Sequence, residues 1–162
     1  MSTETFQLAA ELGAELRKRN QWLVTAESCT GGGIAHAITD IPGSSQWFDC
    51  GFVTYSNASK SKMLNVPESL IHQHGAVSGE IAAAMAKGAL AVTNGTIAIA
   101  ATGIAGPDGG TATKPVGTVW FGLAGNNRVY TEQQFFSGNR QAVRNQSVRH
   151  ALIILLQFLR SA

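Results

Sequence analysis

The chain has 162 residues, 44% of them apolar and 14% charged, with a formal net charge of +2. That length and apolar share point to one globular domain over residues 1–162 and exclude extended disorder. So small a net charge gives no field for nucleic acid or a membrane surface, and neither is expected as a partner.

Two cysteines, Cys29 and Cys50, make no disulfide framework. The first residues have no charged segment followed by an apolar run, so a cytoplasmic address is expected. The most apolar run, 151–159, is too short to span a bilayer. After Glu132 there is no carboxylate, while Arg140, Arg144, Arg149 and Arg160 remain. That asymmetry points to an anionic ligand.

In chain order, residues 5–20 place Phe6, Leu8, Leu12 and Leu16 near helical spacing, an amphipathic first helix. Trp22, Leu23 and Val24 read as a short buried strand, and residues 34–39 as a helix. Between them lie Thr25-Ala26-Glu27-Ser28-Cys29-Thr30-Gly31-Gly32-Gly33, small, polar and flexible. A strand-to-helix turn in an open α/β sheet is where unpaired amides meet a ligand. Residues 40–45 read as a loop that Trp47 and Phe48 anchor to the core. Residues 51–55 read as a second strand, with Ser56-Asn57 capping a short helix over 58–64. Pro67 opens a helical turn through Ile71, and Ser78 caps an alanine-rich helix over 79–90. Residues 96–101 are a buried strand running into the glycine-rich loop from Thr102. Residues 116–123 and 128–136 form a hairpin across Gly125-Asn126-Asn127, and a last helix starts near Gly138 or Asn139. The order predicts a three-layer α/β/α sandwich with a mixed, mostly parallel sheet of about five strands.

Ser28 and Cys29 both qualify as a nucleophile on the first glycine turn. None of the four histidines stands in a triad context, and there is no Gly-x-Ser-x-Gly elbow. Lys60, one helical turn past the neighbouring strand, reaches back toward Ser28; spacing alone favours reading it, with Lys62, as a solvated helix residue. A lysine serves as base only when neutral, which requires burial or nearby positive charge. For Ser28 the alternative is a helix cap, and for Cys29 a buried small residue. Glu27 either orients the lysine or holds the turn through backbone hydrogen bonds. Tyr55 either packs on the core or aims its hydroxyl at a substrate. The glycines of residues 102–117 form a nest for a phosphate or ribose, or a wide structural turn. Arg140 and Arg144, four apart on one helix face, grip a phosphate or stand exposed. No cluster has metal-ligand spacing, so no metal and no cofactor is expected.

Taken together, residues 25–32, Gly43-Ser44-Ser45 with Trp47-Phe48, residues 51–57 leading to Lys60, His74-Gly75-Ala76-Val77-Ser78, residues 102–110, residues 114–119, and Phe136-Ser137-Gly138 with Arg140 resemble the CinA carboxy-terminal domain family. Stand-alone bacterial members of that family are nicotinamide-nucleotide amidases. The resemblance implies hydrolysis of the nicotinamide mononucleotide carboxamide in pyridine-nucleotide salvage. It implies Ser28 as nucleophile, Lys60 as general base, and Tyr55 as a third catalytic residue. It further implies a substrate site of Thr30, Gly31, Gly32, Thr102, Gly103, Gly106, Arg140 and Arg144, with one of the two arginines on the phosphate. Two departures stand out: Asn139 where the family usually has Asp before Arg140, and Gly79 where Glu commonly follows Ser78. They keep open an alternative, a catalytically silent nucleotide-binding module. Apolar and alanine-rich helices in so short a chain suggest a homo-oligomer.

Overall fold

The chain builds its sheet outward from one central strand. The computed structural model describes residues 2–161. Its elements are α1 (Thr3–Lys18), β1 (Leu23–Glu27), α2 (Gly33–Thr39), a 3₁₀ turn (Ser44–Gln46), β2 (Phe48–Val53), α3 (Asn57–Leu64), α4 (Glu68–His74), α5 (Gly79–Ala91), β3 (Ile97–Gly103), β4 (Thr118–Gly125), β5 (Arg128–Phe135) and α6 (Arg140–Arg160). The five strands form one mixed sheet in the order β2-β1-β3-β4-β5. β1 pairs in parallel with both β2 and β3, while β3–β4 and β4–β5 are antiparallel.

Two apolar layers sandwich the sheet, as the three-layer expectation requires. On one face Leu12, Leu16, Ile34, Ile38, Val143 and Leu155 from α1, α2 and α6 meet Leu23, Ile97 and Ile99. On the other, Leu64, Ile71, Ile81 and Met85 from α3, α4 and α5 meet Val24, Ala26, Ala98 and Ala100. The chain therefore leaves β1 for β2 over one face and returns from β2 to β3 over the opposite face. That reversal makes the carboxyl end of β1 the switch point of the sheet, where an open α/β fold leaves its crevice.

Several boundaries differ from the sequence reading, each for a local reason. β1 extends through Thr25, Ala26 and Glu27, because parallel neighbours on both sides supply hydrogen bonds that period alone does not reveal. β2 begins at Phe48 rather than Gly51 and ends at Val53. Thr102 and Gly103 belong to β3 instead of the following loop, since β4 pairs with them. α4 continues past Ile71 to His74. Trp47 is buried as expected: it lies flat on α1 at Gly13, where a Cβ would stand 2.6 Å from the indole. Asn126 and Asn127, with φ of 52° and 57°, make the two-residue hairpin turn whose twist suits antiparallel strands.

Candidate active site

Alternation along β1 decides which nucleophile faces which layer. Val24 and Ala26 point to the α3–α5 side, and Leu23 to the α1–α2–α6 side. The ladder continues one residue beyond β1, as the Ser28 amide donates to the Ala101 carbonyl. Ser28 keeps the phase of Val24 and Ala26, while Cys29 falls into the opposite core. Burial pushes the Cys29 thiol up to about 12, which leaves it a protonated packing residue.

α3 delivers the partner of Ser28. Ser56 caps that helix by accepting from the Ser59 amide, and the first turn aims Lys60 back over the ends of β1 and β2. Lys60 Nζ lies 3.1 Å from Ser28 Oγ, 2.9 Å from the Thr54 carbonyl and 3.4 Å from the Tyr55 carbonyl. Lys60 is 1% exposed and Ser28 8% exposed. The solvated reading of Lys60 is thus overturned, although Lys62 is exposed as that reading has it. Loss of water around the amine lowers the Lys60 pKa from the ordinary lysine value.

The turn after Ser28 is held from below. The buried Glu27 carboxylate accepts from the Ile34 amide at 3.0 Å and the Ala35 amide at 2.8 Å, capping α2. Glu27 therefore holds the turn rather than orienting Lys60. Gly31 and Gly32 have φ of 60° and 88°, a left-handed pair that only glycine adopts freely. The Gly31 amide donates to the Ser28 carbonyl and the Gly33 amide to the Thr30 carbonyl. Among the described residues the Thr30 and Gly32 amides have no acceptor.

The other expected site residues fall into two groups. Tyr55, 59% exposed, does not pack on the core; its hydroxyl accepts from Arg140 Nη2 at 2.8 Å. Arg140 Nη1 donates to the Gly106 carbonyl at 2.8 Å. Arg140 thus bridges the segments after β2 and β3, on either side of β1. Gly106, with φ of 80°, turns its carbonyl toward that bridge. Ser28, Lys60, Tyr55, Thr30, Gly32, Gly106 and Arg140 all gather at the carboxyl end of the three parallel strands.

The second group makes contacts within the protein. The Thr102 hydroxyl donates to the Ala76 carbonyl at 2.8 Å, tying down the connection before α5. Gly103 is a close approach of strands: a Cβ there would lie 2.7 Å from the Thr118 carbonyl oxygen. Arg144 extends behind the glycine turn, donating from Nη2 to the Thr30 carbonyl and lying beside Gly31. Sequence reasoning missed Lys114, whose Nζ donates to the His74 carbonyl at 2.9 Å and clamps the same connection as Thr102. The only signal for it is its place in the Lys-Pro-Val-Gly run after the second glycine loop.

Both departures find a local role. Asn139 caps α6 by accepting from the Ala142 amide at 3.0 Å, as an aspartate would. Gly79 lies under the Trp120 ring, where a Cβ would come within 2.9 Å. Glu80, the next residue, faces His74 at 3.5 Å. Among the described residues no group of three His, Cys, Asp or Glu side chains is arranged to hold a metal ion, and no helix is long and apolar enough to cross a membrane.

With this geometry in view, comparison with known proteins places the chain. The family model described as the CinA C-terminal domain matches residues 5–159. The nicotinamide-nucleotide amidohydrolase PncC of Pseudomonas putida is 55% identical over 150 residues, covering 93% of this chain and 94% of that protein. The protein of the same name from Escherichia coli K12 is 49% identical over 156 residues, 96% and 94% of the two chains. The crystal structure of the competence/damage inducible protein CihA from Agrobacterium tumefaciens superposes with a TM-score of 0.94 at 40% identity, covering 99% of this chain and 98% of that one.

Proposed function

The chain belongs to the CinA C-terminal domain family and is an amidohydrolase, and from that premise we propose that it hydrolyses the carboxamide of nicotinamide mononucleotide to nicotinic acid mononucleotide and ammonia. Ser28 is the nucleophile and Lys60 its general base. The observation that carries this reading is the 3.1 Å contact between a buried lysine amine and the Ser28 hydroxyl on the switch-point turn.

Lys60 works in its neutral form, which its burial favours. Two of its hydrogens go to the carbonyls of Thr54 and Tyr55, leaving the lone pair for the Ser28 hydroxyl. Ser28 Oγ attacks the carboxamide carbon and its proton passes to Lys60. The Thr30 and Gly32 amides receive the tetrahedral oxyanion. The intermediate collapses with the Lys60 proton going to the departing nitrogen, which leaves as ammonia. Water, deprotonated by Lys60, then opens the acyl-enzyme ester and frees the carboxylate product and Ser28.

Arg140 suits the substrate phosphate. Its present acceptors, the Tyr55 hydroxyl and the Gly106 carbonyl, are both neutral. A phosphate adds a second formal charge and a bidentate match to the guanidinium fork, which neither neutral acceptor offers, so a phosphate displaces them. Tyr55 is released by the same exchange and lies against the bound substrate. Arg144, in this reading, keeps the Thr30 carbonyl and so the shape of the turn. The reaction belongs to cytoplasmic salvage of pyridine nucleotides, carried out by an assembly of identical chains.

The test is ammonia release from nicotinamide mononucleotide by the purified protein without added metal, beside Ser28→Ala. Turnover lost in the variant is the expected result. Equal turnover in Ser28→Ala would sink the mechanism.

A further inference from the structure

Ser28 and Lys60 sit at the open end of the sheet, yet they are only 8% and 1% exposed. Across that end runs a bridge of two hydrogen bonds. Arg140 Nη2 donates to the Tyr55 hydroxyl and Nη1 to the Gly106 carbonyl, each at 2.8 Å. Tyr55 follows β2 and Gly106 follows β3, so the guanidinium spans the gap into which β1 delivers Ser28. A carboxamide carbon reacts only within about 3–3.5 Å of the attacking oxygen. A nucleophile as enclosed as Ser28 is reached when its surroundings open.

The bridge opens from its solvent side. Arg140 and Tyr55 are exposed, while Gly106 is buried. The Tyr55 backbone is pinned, its carbonyl 3.4 Å from Lys60 Nζ, so the movable part is the side chain. Among the described residues Arg140 forms no ion pair with a carboxylate. Its fork is held by two neutral oxygens on two different segments, and an anion that takes both donors frees both segments at once. A carboxamide or a ribose hydroxyl, being uncharged, drives no such exchange.

We propose, resting on the amidase reading, that the Tyr55–Arg140–Gly106 bridge is a latch over Ser28 that the phosphate of the substrate opens. Tyr55 and Arg140 then select the nucleotide over the nucleoside by gating the nucleophile, in addition to any affinity that Arg140 supplies. Binding energy from the phosphate, remote from the reacting carbonyl, goes into uncovering Ser28. The phosphate need not be attached to the ring for this. A free dianion on Arg140 opens the latch as well.

Two measurements on the full chain test the latch. In the first, ammonia release from nicotinamide riboside is followed with and without inorganic phosphate, chloride holding the ionic strength constant. Phosphate is expected to raise kcat/KM for the riboside about tenfold or more in the wild-type protein. Arg140→Gln removes the latch and the anion site together, so it is expected to hydrolyse the riboside faster than wild type and to ignore phosphate. The second measurement needs no substrate. Phenylmethanesulfonyl fluoride sulfonylates Ser28, Oγ bonding to sulfur as fluoride leaves, and Ser28→Ala gives the background. Labelling is expected to quicken with phosphate in wild type and to be fast without it in Arg140→Gln. Labelling that phosphate leaves unchanged overturns the latch, as does an Arg140→Gln protein labelled no faster than wild type. Riboside turnover that phosphate leaves unchanged, while the mononucleotide is hydrolysed, overturns it too. If labelling is gated but neither compound releases ammonia, the latch stands and the amidase reading fails.

Discussion

Replacing Lys60 by methionine removes the amine 3.1 Å from Ser28 Oγ while nearly keeping the length and apolar stem of the side chain. A positioned general base contributes about 10²–10⁴ in rate, which is about 3–5 kcal/mol of barrier at 1.36 kcal/mol per decade. Stability moves far less, because two effects oppose each other. The Thr54 carbonyl and Ser28 hydroxyl lose their buried donor, at about 1–3 kcal/mol for each orphaned group. Removing an ionisable group from a site only 1% exposed returns about 1–4 kcal/mol. At the middle of each range, about 4 kcal/mol lost against about 2.5 returned, the net is a loss of about 1.5 kcal/mol, or a Tm drop of about 3–6 °C for a domain of this size. Steady-state ammonia release and thermal unfolding on the same preparations separate the two. A folded Lys60→Met that keeps more than a tenth of the wild-type kcat would refute the assignment of Lys60 as base.

The pH profile should carry the mark of the same group. Burial lowers the Lys60 pKa, so the neutral form grows as pH rises; kcat/KM is expected to climb tenfold per pH unit and level off below the ordinary lysine value of about 10.4, and a plateau reached only above it contradicts the mechanism. Glu27→Ala strips the cap of two amides at the start of α2 and is expected to cost about 2–4 kcal/mol in urea unfolding; an unchanged midpoint counts against the cap. Burial pushes the Glu132 carboxyl up, but His150, Tyr130 and Gln134 as donors outweigh it and hold the carboxyl below the usual glutamate range. Its contribution is therefore fully present above the unfolded value of about 4.3 and is lost as pH falls through the lower folded value. Glu132→Gln should accordingly be less stable than wild type at neutral pH, and the gap should shrink in acid. Asn139→Asp preserves the α6 cap and is expected to change kcat/KM by less than about threefold; a large gain would mean that the missing carboxylate orients Arg140.

Much of this molecule was legible along the chain. The helices begin where Ser56, Ser78 and Asn139 stand, because a short polar side chain satisfies amides that the helix itself leaves open. The last hairpin turns at the asparagine pair that tolerates left-handed backbone. Boundaries slipped where pairing overrode local pattern. Glu27 and Thr102 look like turn residues by composition, yet both are strand, because β2 and β3 flank Glu27 and β4 pairs with Thr102. Gly103 and Gly79 read as flexible or aberrant by type, but each is dictated by a single close neighbour, β4 for one and Trp120 for the other.

By itself, the sequence determined the α/β alternation, the family and the glycine turn after the central strand, because periodicity, capping residues and contiguous motifs are local properties. Only the tertiary structure decided which of Ser28 and Cys29 faces Lys60, since that follows from the phase of β1 relative to two layers assembled from distant segments. It alone turned Lys60 from a residue of surface type into a buried one, as α3 folds over the strand ends and removes its water. It also parted Arg140 from Arg144. Four residues apart on one helix, they end on opposite sides of the glycine turn, one bridging the mouth and the other holding the turn from behind.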